Sequence, residues 1–424
     1  MKVIIAQSVL KEALEKGASA SLSEVAQGDT SNLSQLVQSV KITAEKDKLV
    51  FESATSLFGV KYTLPFSPND KDIVVKETGV IFLWAKQLYG WVEKQNGLRI
   101  MLNLKKLDSP ETIKTVDDDS AEAARFNIRK IGTVEITSKD NKKTGSDWKL
   151  DCFDPEQASL VNFDSKGNKM FNVSPDQLSL AVKSISMASS PKDHEHIYDS
   201  IMFEGYKNEL YSSTSDKTRC AIYKMSQCTE VASNLLDGTF RILIPCDFVS
   251  TVSKLCSSEK TLEFYYDDNK NKVFVVQPNF ECRVTIPDKS QFTKFPAISL
   301  LLAKTYDNLC SVRKDALTSR LQTVSMVNKS TVLFKFENDT VIIKAISDSG
   351  VAPSTSSASV DGLKKQLRVV LSVTHLMDVM KTVKDEDITF LSPDNGKSVK
   401  ITSVLDPNFL YYIMTIDVPK YANE

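Results

Sequence analysis

Histidine, cysteine, glycine and proline are all sparse in this 424-residue chain, at 3, 7, 14 and 14 residues respectively. Three histidines leave little material for acid–base or metal chemistry. His194 and His196 stand in a polar stretch that reads as a surface turn, and His375 reads as a residue at a helix end. The cysteines Cys152, Cys220, Cys228, Cys246, Cys256, Cys282 and Cys310 are odd in number and contain no CxxC. That spacing argues against a zinc site. The early apolar stretch Val3-Ile4-Ile5-Ala6 is too short for an export signal, so reduced thiols in a cytoplasmic protein are expected. No run of 18 or more apolar residues occurs, so no transmembrane helix and no membrane partner are expected. Gly-x-Gly-x-x-Gly, Gly-x-Ser-x-Gly and His-Glu-x-x-His are all missing. Asn395-Gly396-Lys397-Ser398 resembles the end of a phosphate-binding loop, but Leu391 stands where that loop needs glycine, and a hairpin turn accounts for it. The run Asp117-Asp118-Asp119 reads as a solvated loop. No enzyme, metal or cofactor is therefore expected.

Charge of either sign is not in excess. Lys and Arg number 53 against 54 Asp and Glu, for a net charge of −1. This excludes a nucleic-acid binder that is basic all over, and leaves only one with segregated charge.

What is present is a repeated unit, an amphipathic helix followed by several short strands, which occurs six times. The helices are expected at Ser8–Lys16, Phe82–Gln95, Pro175–Ala188, after Pro245, at Arg313–Val327 and at Val373–Lys384. Each has apolar residues at the i, i+3, i+4, i+7 spacing. The third opens on Ser174-Pro175-Asp176-Gln177, with a Ser N-cap, Pro at the first helical position and Gln at the capping-box position. Alternating strands are expected at Ser200–Glu204, Glu209–Ser213, Thr261–Tyr266, Lys272–Gln277, Val332–Glu337 and Val341–Ile346, with a last hairpin around Pro393-Asp394-Asn395-Gly396. Ala18–Leu33, Leu107–Ala124 and Ser349–Val360 read as loops, the first two as insertions near 18–33 and 107–124.

Two units per domain give three similar α+β domains, at 1–169, 170–302 and 303–424. Such units can curve into an arc, and two arcs closing head to tail make a six-domain ring with helices inside. The six helices carry eleven basic residues (Lys11, Lys16, Lys86, Lys94, Lys183, Lys254, Arg313, Lys314, Arg320, Lys381 and Lys384) against seven acidic ones. This leaves +4 on the helices and −5 on the rest. The bias has the sign an encircled duplex requires.

Several segments then resemble one family in order and spacing. Phe171-Asn172-Val173-Ser174-Pro175-Asp176-Gln177-Leu178, Ser186-Met187-Ala188, Ile201-Met202-Phe203-Glu204, Arg241-Ile242-Leu243-Ile244-Pro245 and Phe409-Leu410-Tyr411-Tyr412-Ile413-Met414 are similar to segments of the bacterial beta sliding clamp, the processivity subunit of DNA polymerase III. The resemblance runs over nearly the whole length. It implies a head-to-tail homodimer encircling double-stranded DNA without sequence preference, placed there by a clamp loader. It also implies tethering of the polymerase III catalytic subunit and of replication and repair proteins by short peptides. The DNA-facing set it implies is Lys11, Lys86, Lys94, Lys183, Lys254, Arg313, Lys314, Arg320 and Lys381.

The family's pocket signature Thr-Asp-Gly-His-Arg-Leu-Ala aligns with Ser215-Asp216-Lys217-Thr218-Arg219-Cys220-Ala221, and its chain end with Met414-Thr415-Ile416-Asp417-Val418. The resemblance thus implies a peptide pocket at Tyr198, Ser215, Lys217, Arg219, Cys220, Pro296, Met414, Thr415 and Ile416, with the segment Phe295–Leu300 lining its other side, although Tyr198 and Ile416 read also as core. Gly, His and Leu of the signature are replaced by Lys217, Thr218 and Cys220, which puts the usual Gln-Leu-x-Leu-Phe-type peptide in question. The alternative is a clamp-like scaffold serving other partners. The strand Asp147–Phe153 aligns with the family's interface strand, making Trp148 and Leu150 dimer candidates opposite Ser325 and Met326, although Trp148 reads equally as core.

Overall fold

The structure is a computed structural model that describes residues 1–22, 38–55, 57–95, 98–113, 128–139, 146–158, 167–190, 197–256, 260–345, 354–393 and 397–416. The chain divides into two compact units: Met1–Lys169 with Lys254–Ile286, and Met170–Ser253 with Pro287–Glu424.

In the first unit, alternating sequences build two antiparallel sheets. One runs in the order Ile73–Glu77, Lys2–Ala6, Arg99–Ile113, Ile128–Lys139, Asp147–Phe153. Seven consecutive strands of the other run Leu262–Asp267, Lys272–Gln277, Phe280–Thr285, Phe58–Pro65, Lys48–Ala54, Ser39–Ala44, Gly79–Trp84. Cys282 pairs with Val60 there, across more than 200 positions of sequence. Helices α1 (Gln7–Gly17) and α2 (Ala85–Glu93) pack together: Gln7 Nε2 donates to the Val92 carbonyl at 2.9 Å, and Lys11 meets Glu93 at 3.1 Å. Their apolar faces (Leu10, Leu14, Leu88, Val92) share one core with Val3, Phe51, Val134 and Leu150.

In the second unit an eight-stranded sheet runs Arg241–Pro245, Ser200–Tyr206, Glu209–Ser215, Arg219–Lys224, Phe409–Met414, Ser398–Thr402, Asp387–Ser392, Asp307–Arg313. A four-stranded sheet runs Thr355–Ser359, Thr340–Ala345, Thr331–Glu337, Leu367–Ser372. The helices here are α3 (Pro175–Ile185), α5 (Lys314–Ser325) and α6 (Val373–Thr382). Between them in sequence, α4 (Cys246–Leu255) ends just past the unit boundary.

All six expected helices are present: α1 is one residue longer at each end, and α2, α3, α5 and α6 are shorter than expected. Phe82–Trp84 close a strand instead of opening α2, because Val80–Trp84 pair residue by residue with Ser39–Thr43 and are β-formers. The Ser174 hydroxyl caps α3 by accepting from Gln177 N at 3.2 Å, as expected. Gln177 does not complete a capping box. Its buried amide turns to accept from Gln227 N at 2.8 Å.

The loop expectations need correction where they fall on described residues. Ser19–Leu22 forms a helical turn. Residues 107–113 continue the strand Arg99–Ile113, and Thr355–Ser359 is an edge strand. Both strands are polar on most faces, so the period of two that marks a half-buried strand is missing. Asp117–Asp119, His194, His196 and Asn395-Gly396 lie outside the described residues. Three one-turn helices, Ser19–Leu22, Ser233–Leu236 and Ile298–Leu302, had no periodic signal of their own.

Gly17 sets how closely α1 lies on the sheet. A Cβ there would stand 2.2 Å from Phe51 Cβ on the strand below. In an open helix Gly→Ala stabilises by up to about 1 kcal/mol. Here the sign is expected to reverse: Gly17→Ala should lower stability by about 1–3 kcal/mol through overpacking. Urea unfolding checks this, and a more stable variant would refute the close contact.

Candidate functional site

The hairpin Ser215–Arg219 is built by its own side chains. The Ser215 hydroxyl accepts from Lys217 N at 3.2 Å and donates to the Arg219 carbonyl at 2.7 Å. Asp216 Oδ1 accepts from the backbone of Thr218 and of Arg219, each at 3.0 Å, and from the Thr218 hydroxyl at 2.7 Å. This turn forces Lys217 into the left-handed region at φ 78°. Glycine suits that conformation without cost, which matches glycine in the resembling signature.

Arg219 ties this turn to α6. Its Nε donates to Asp216 Oδ2 at 2.8 Å and its Nη1 to Asp378 Oδ2 at 2.7 Å. His375 Nε2 lies 3.5 Å from Asp216 Oδ2. Burial, with the Arg219 charge added, holds the imidazole below its ordinary 6.5 against the pull of Asp216 and Asp378. The ring is therefore neutral at pH 7. The Tyr411 hydroxyl donates to the His375 carbonyl at 3.2 Å, so strand, turn and helix form one polar cluster.

Beside the turn, the Lys217 ammonium sits 4.7 Å above the Tyr198 ring, which stacks on Phe295 at 6.2 Å. Tyr198 is only 8% exposed, with its hydroxyl donating to the Lys294 carbonyl at 3.0 Å. On the other flank, Met414 N donates to the Thr218 carbonyl at 2.8 Å, and Ile416 bridges to Val370. Met414 and Ile416 are 43% and 45% exposed. The structure thus gathers Tyr198, Lys217, Arg219, Met414, Thr415 and Ile416 around one turn. Pro296 follows Phe295 and is part-exposed. Ser215 and Cys220 are buried and serve the turn and the core. Asp417 and Val418 lie outside the described residues. Phe295, the platform under Tyr198, falls in the segment Phe295–Leu300 that was expected to line the pocket, whereas Asp378, the partner of Arg219, was not in the expected site. Asp378 had no signal, because 159 residues separate it from Arg219.

The expected DNA-facing cations divide. Lys86, Lys94, Lys183, Lys254 and Arg320 are exposed, as is Lys381, which lies 3.8 Å from Asp378. Lys11 is held by Glu93. Arg313 lies among Glu386 at 3.0 Å, Asp315 at 3.7 Å and Asp387 at 3.8 Å. Lys314 Nζ donates to the Val383 carbonyl just past α6, at 2.8 Å. These three are engaged within the fold.

The strand Asp147–Phe153 forms a sheet edge with one neighbour. Trp148 stacks on Trp91 at 6.3 Å, and Leu150 belongs to the core. Both also line a shallow cavity of about 240 Å³ with Trp84. Met326, just after α5, is 84% exposed, while the Ser325 hydroxyl donates to the Gln322 carbonyl.

No family model and no curated protein matches the sequence. Solved structures do match in fold. The DNA polymerase III subunit beta of Pseudomonas aeruginosa superposes with a TM-score of 0.74 at 14% identity, over 98% of this chain and 100% of its own. The DNA polymerase III beta chain of Streptococcus pneumoniae TIGR4 gives 0.75 at 14%, over 98% and 100%. The beta sliding clamp of Caulobacter crescentus gives 0.75 at 15%, over 99% of both chains.

The chain has the sliding-clamp fold.

On that fold the Arg219 lock carries the geometry of the turn. Arg219→Met is expected to cost roughly 2–3 kcal/mol by leaving two partly buried carboxylates without their cation. Arg219→Lys should recover less than half, because it cannot fork between them. Thermal unfolding of the two variants measures both, and equal stability of Arg219→Met and the parent would remove the lock.

Proposed function

We propose that this chain is a DNA polymerase processivity factor, a sliding clamp that closes as a head-to-tail homodimer around double-stranded DNA. The observation that carries this is the match in fold over the full length of both chains. In this reading the three domains are 1–169, 170–302 and 303–424, with α1–α6 facing the duplex. A clamp loader would open the ring, the polymerase III catalytic subunit and repair proteins would dock at the 215–219 turn, and the protein would act in the cytoplasm without catalysis. Among the described residues no helix is long and apolar enough to cross a membrane.

The sheets support closure. The strand Asp147–Phe153 ends one sheet of the first unit, and Thr355–Ser359 and Leu367–Ser372 end the small sheet of the second. Edges of this kind pair readily with another chain. Exposed Met326 of one copy suits the cavity beside Trp84 and Trp148 of another, where the Trp84 indole N–H is buried without a partner among the described residues.

Enclosure makes a specific demand: retention on DNA must depend on topology. The protein loaded onto a nicked circular plasmid is expected to stay bound, and to run off once the plasmid is cut. Retention on the linear form would sink the reading. Met326→Glu should shift solution mass from dimer to monomer and abolish retention on the circle.

The Lys217–Tyr198 stack favours a second reading, a clamp whose partners differ from those of the replicative polymerase. A cation–π contact holds the ammonium over what would be an open apolar wall. Binding of a Gln-Leu-x-Leu-Phe peptide is expected to be about tenfold weaker than that of a Lys217→Gly variant, measured by fluorescence anisotropy. Equal affinity would favour the ordinary partners.

A further inference from the structure

The strands Arg219–Lys224 and Phe409–Met414 run antiparallel, with Arg219 opposite Ile413 at the turn described above and Tyr223 opposite Phe409 at the far end. At that far end lies a cavity of about 520 Å³. Its floor includes Tyr223 and Phe409. Its walls are one face of α3, the end of α6 and the loop 403–409. The volume is that of a small-ligand or side-chain site.

The loop wall is rigid for a stated reason. Asp385 accepts from the Ser403 hydroxyl, from Val404 N at 2.7 Å and from Leu405 N at 2.9 Å. Burial opposes ionisation of Asp385, yet these bonds hold its carboxyl below the ordinary range. Ser403 Oγ also accepts from Asp406 N at 2.8 Å. A loop fixed this firmly nevertheless holds Leu405 at 70% exposure, lining the same cavity as Leu180 of α3 at 46%. Exposed apolar side chains on a fixed scaffold gain by covering, and little ordering entropy opposes it.

Acidic side chains outnumber basic ones at the mouth. Asp176 and Asp406 both line it, and among the described residues neither has an ion-pair partner. Burial pushes the Asp406 carboxyl up, and the nearby Asp385 charge adds to this. The C-terminal end of the ten-residue helix α6 lines the cavity and adds partial negative charge, which the N-terminal turn of α3, where Asp176 stands, offsets with partial positive charge. Lys384 is the one cation on the wall and offsets part of the acidic charge. With two carboxylates against one lysine, a nucleic-acid phosphate is disfavoured there, whereas a cationic group suits the part-buried Asp406 carboxyl.

We propose that this cavity is a second docking site, which takes a short partner peptide whose aliphatic residue lies beside an arginine or lysine. The aliphatic side chain would cover Leu180 and Leu405, and the basic group would meet Asp176 and Asp406. Clamp loading has no part in this site, so its failure would leave the ring reading intact.

The probes are two peptides, acetyl-Gly-Leu-Arg-Gly-amide and its glutamate counterpart, titrated into the full chain carrying ¹³C-methyl leucine. The arginine peptide is expected to shift the Leu180 and Leu405 methyl signals saturably, and the glutamate peptide to bind at least about tenfold more weakly. Leu405→Ser, at an exposed position, should weaken the arginine peptide by about tenfold without lowering the melting temperature. Asp176→Asn with Asp406→Asn should abolish the preference while keeping the loop's hydrogen bonds. The proposal is overturned by any of three results: no shift at millimolar peptide, equal affinity for both peptides, or unchanged binding by Leu405→Ser.

Discussion

Five consecutive backbone pairs, Arg219 to Tyr223 against Ile413 to Phe409, hold the second unit together. They join chain segments almost 190 residues apart into one eight-stranded sheet. The candidate turn and the large cavity of that unit both hang from this pairing. The turn at its Arg219 end carries the Lys217–Tyr198 stack, and the loop entering its Phe409 end walls the large cavity. A slip of one residue would turn Tyr411 and Tyr223 to the wrong face and separate Arg219 from Asp378. Buried tyrosines Tyr411 and Tyr412 make such a slip expensive, and the Arg219 cluster adds a directional bond to what apolar burial leaves non-directional.

Much of the fold was legible because its elements keep simple periods. Helices such as α3 and strands such as Lys272–Gln277 bury one face each, so their apolar residues recur as physics requires. The misreadings have physical causes too. Gly79–Trp84 is buried heavily enough that its apolar run fits either period, and the helical spacing extended falsely into it. Thr355–Ser359 and residues 107–113 are paired but mostly solvated, so backbone hydrogen bonds define them and side chains do not announce them.

The site was legible only in part, for a related reason. Lys217, Met414 and Ile416 could be placed through local segments with recognisable order. The partner that holds Arg219 is remote: Asp378, 159 residues further along the chain. Such contacts depend on three-dimensional closure, and one sequence carries no record of which distant residues meet. At 14% identity the fold persists over 98% of this chain. That tolerance is expected, since burial pattern constrains the fold and individual polar groups constrain partners.

Net charge bears on the same division between fold and function. A binder that relies on phosphate contacts must keep its cations free, and its affinity falls steeply with salt. Here Lys11, Arg313, Lys314 and Lys381 are engaged with groups of the fold, which leaves at most five of the nine cations on the proposed inner face. That is a modest set for tight binding by charge. Enclosure separates retention from contact strength, because a closed ring stays on DNA while each phosphate contact breaks and reforms. A chain of net charge −1 is then no obstacle to holding a polyanion. Weak, exchangeable contacts are what allow such a ring to move along the duplex, and stronger ones would slow it.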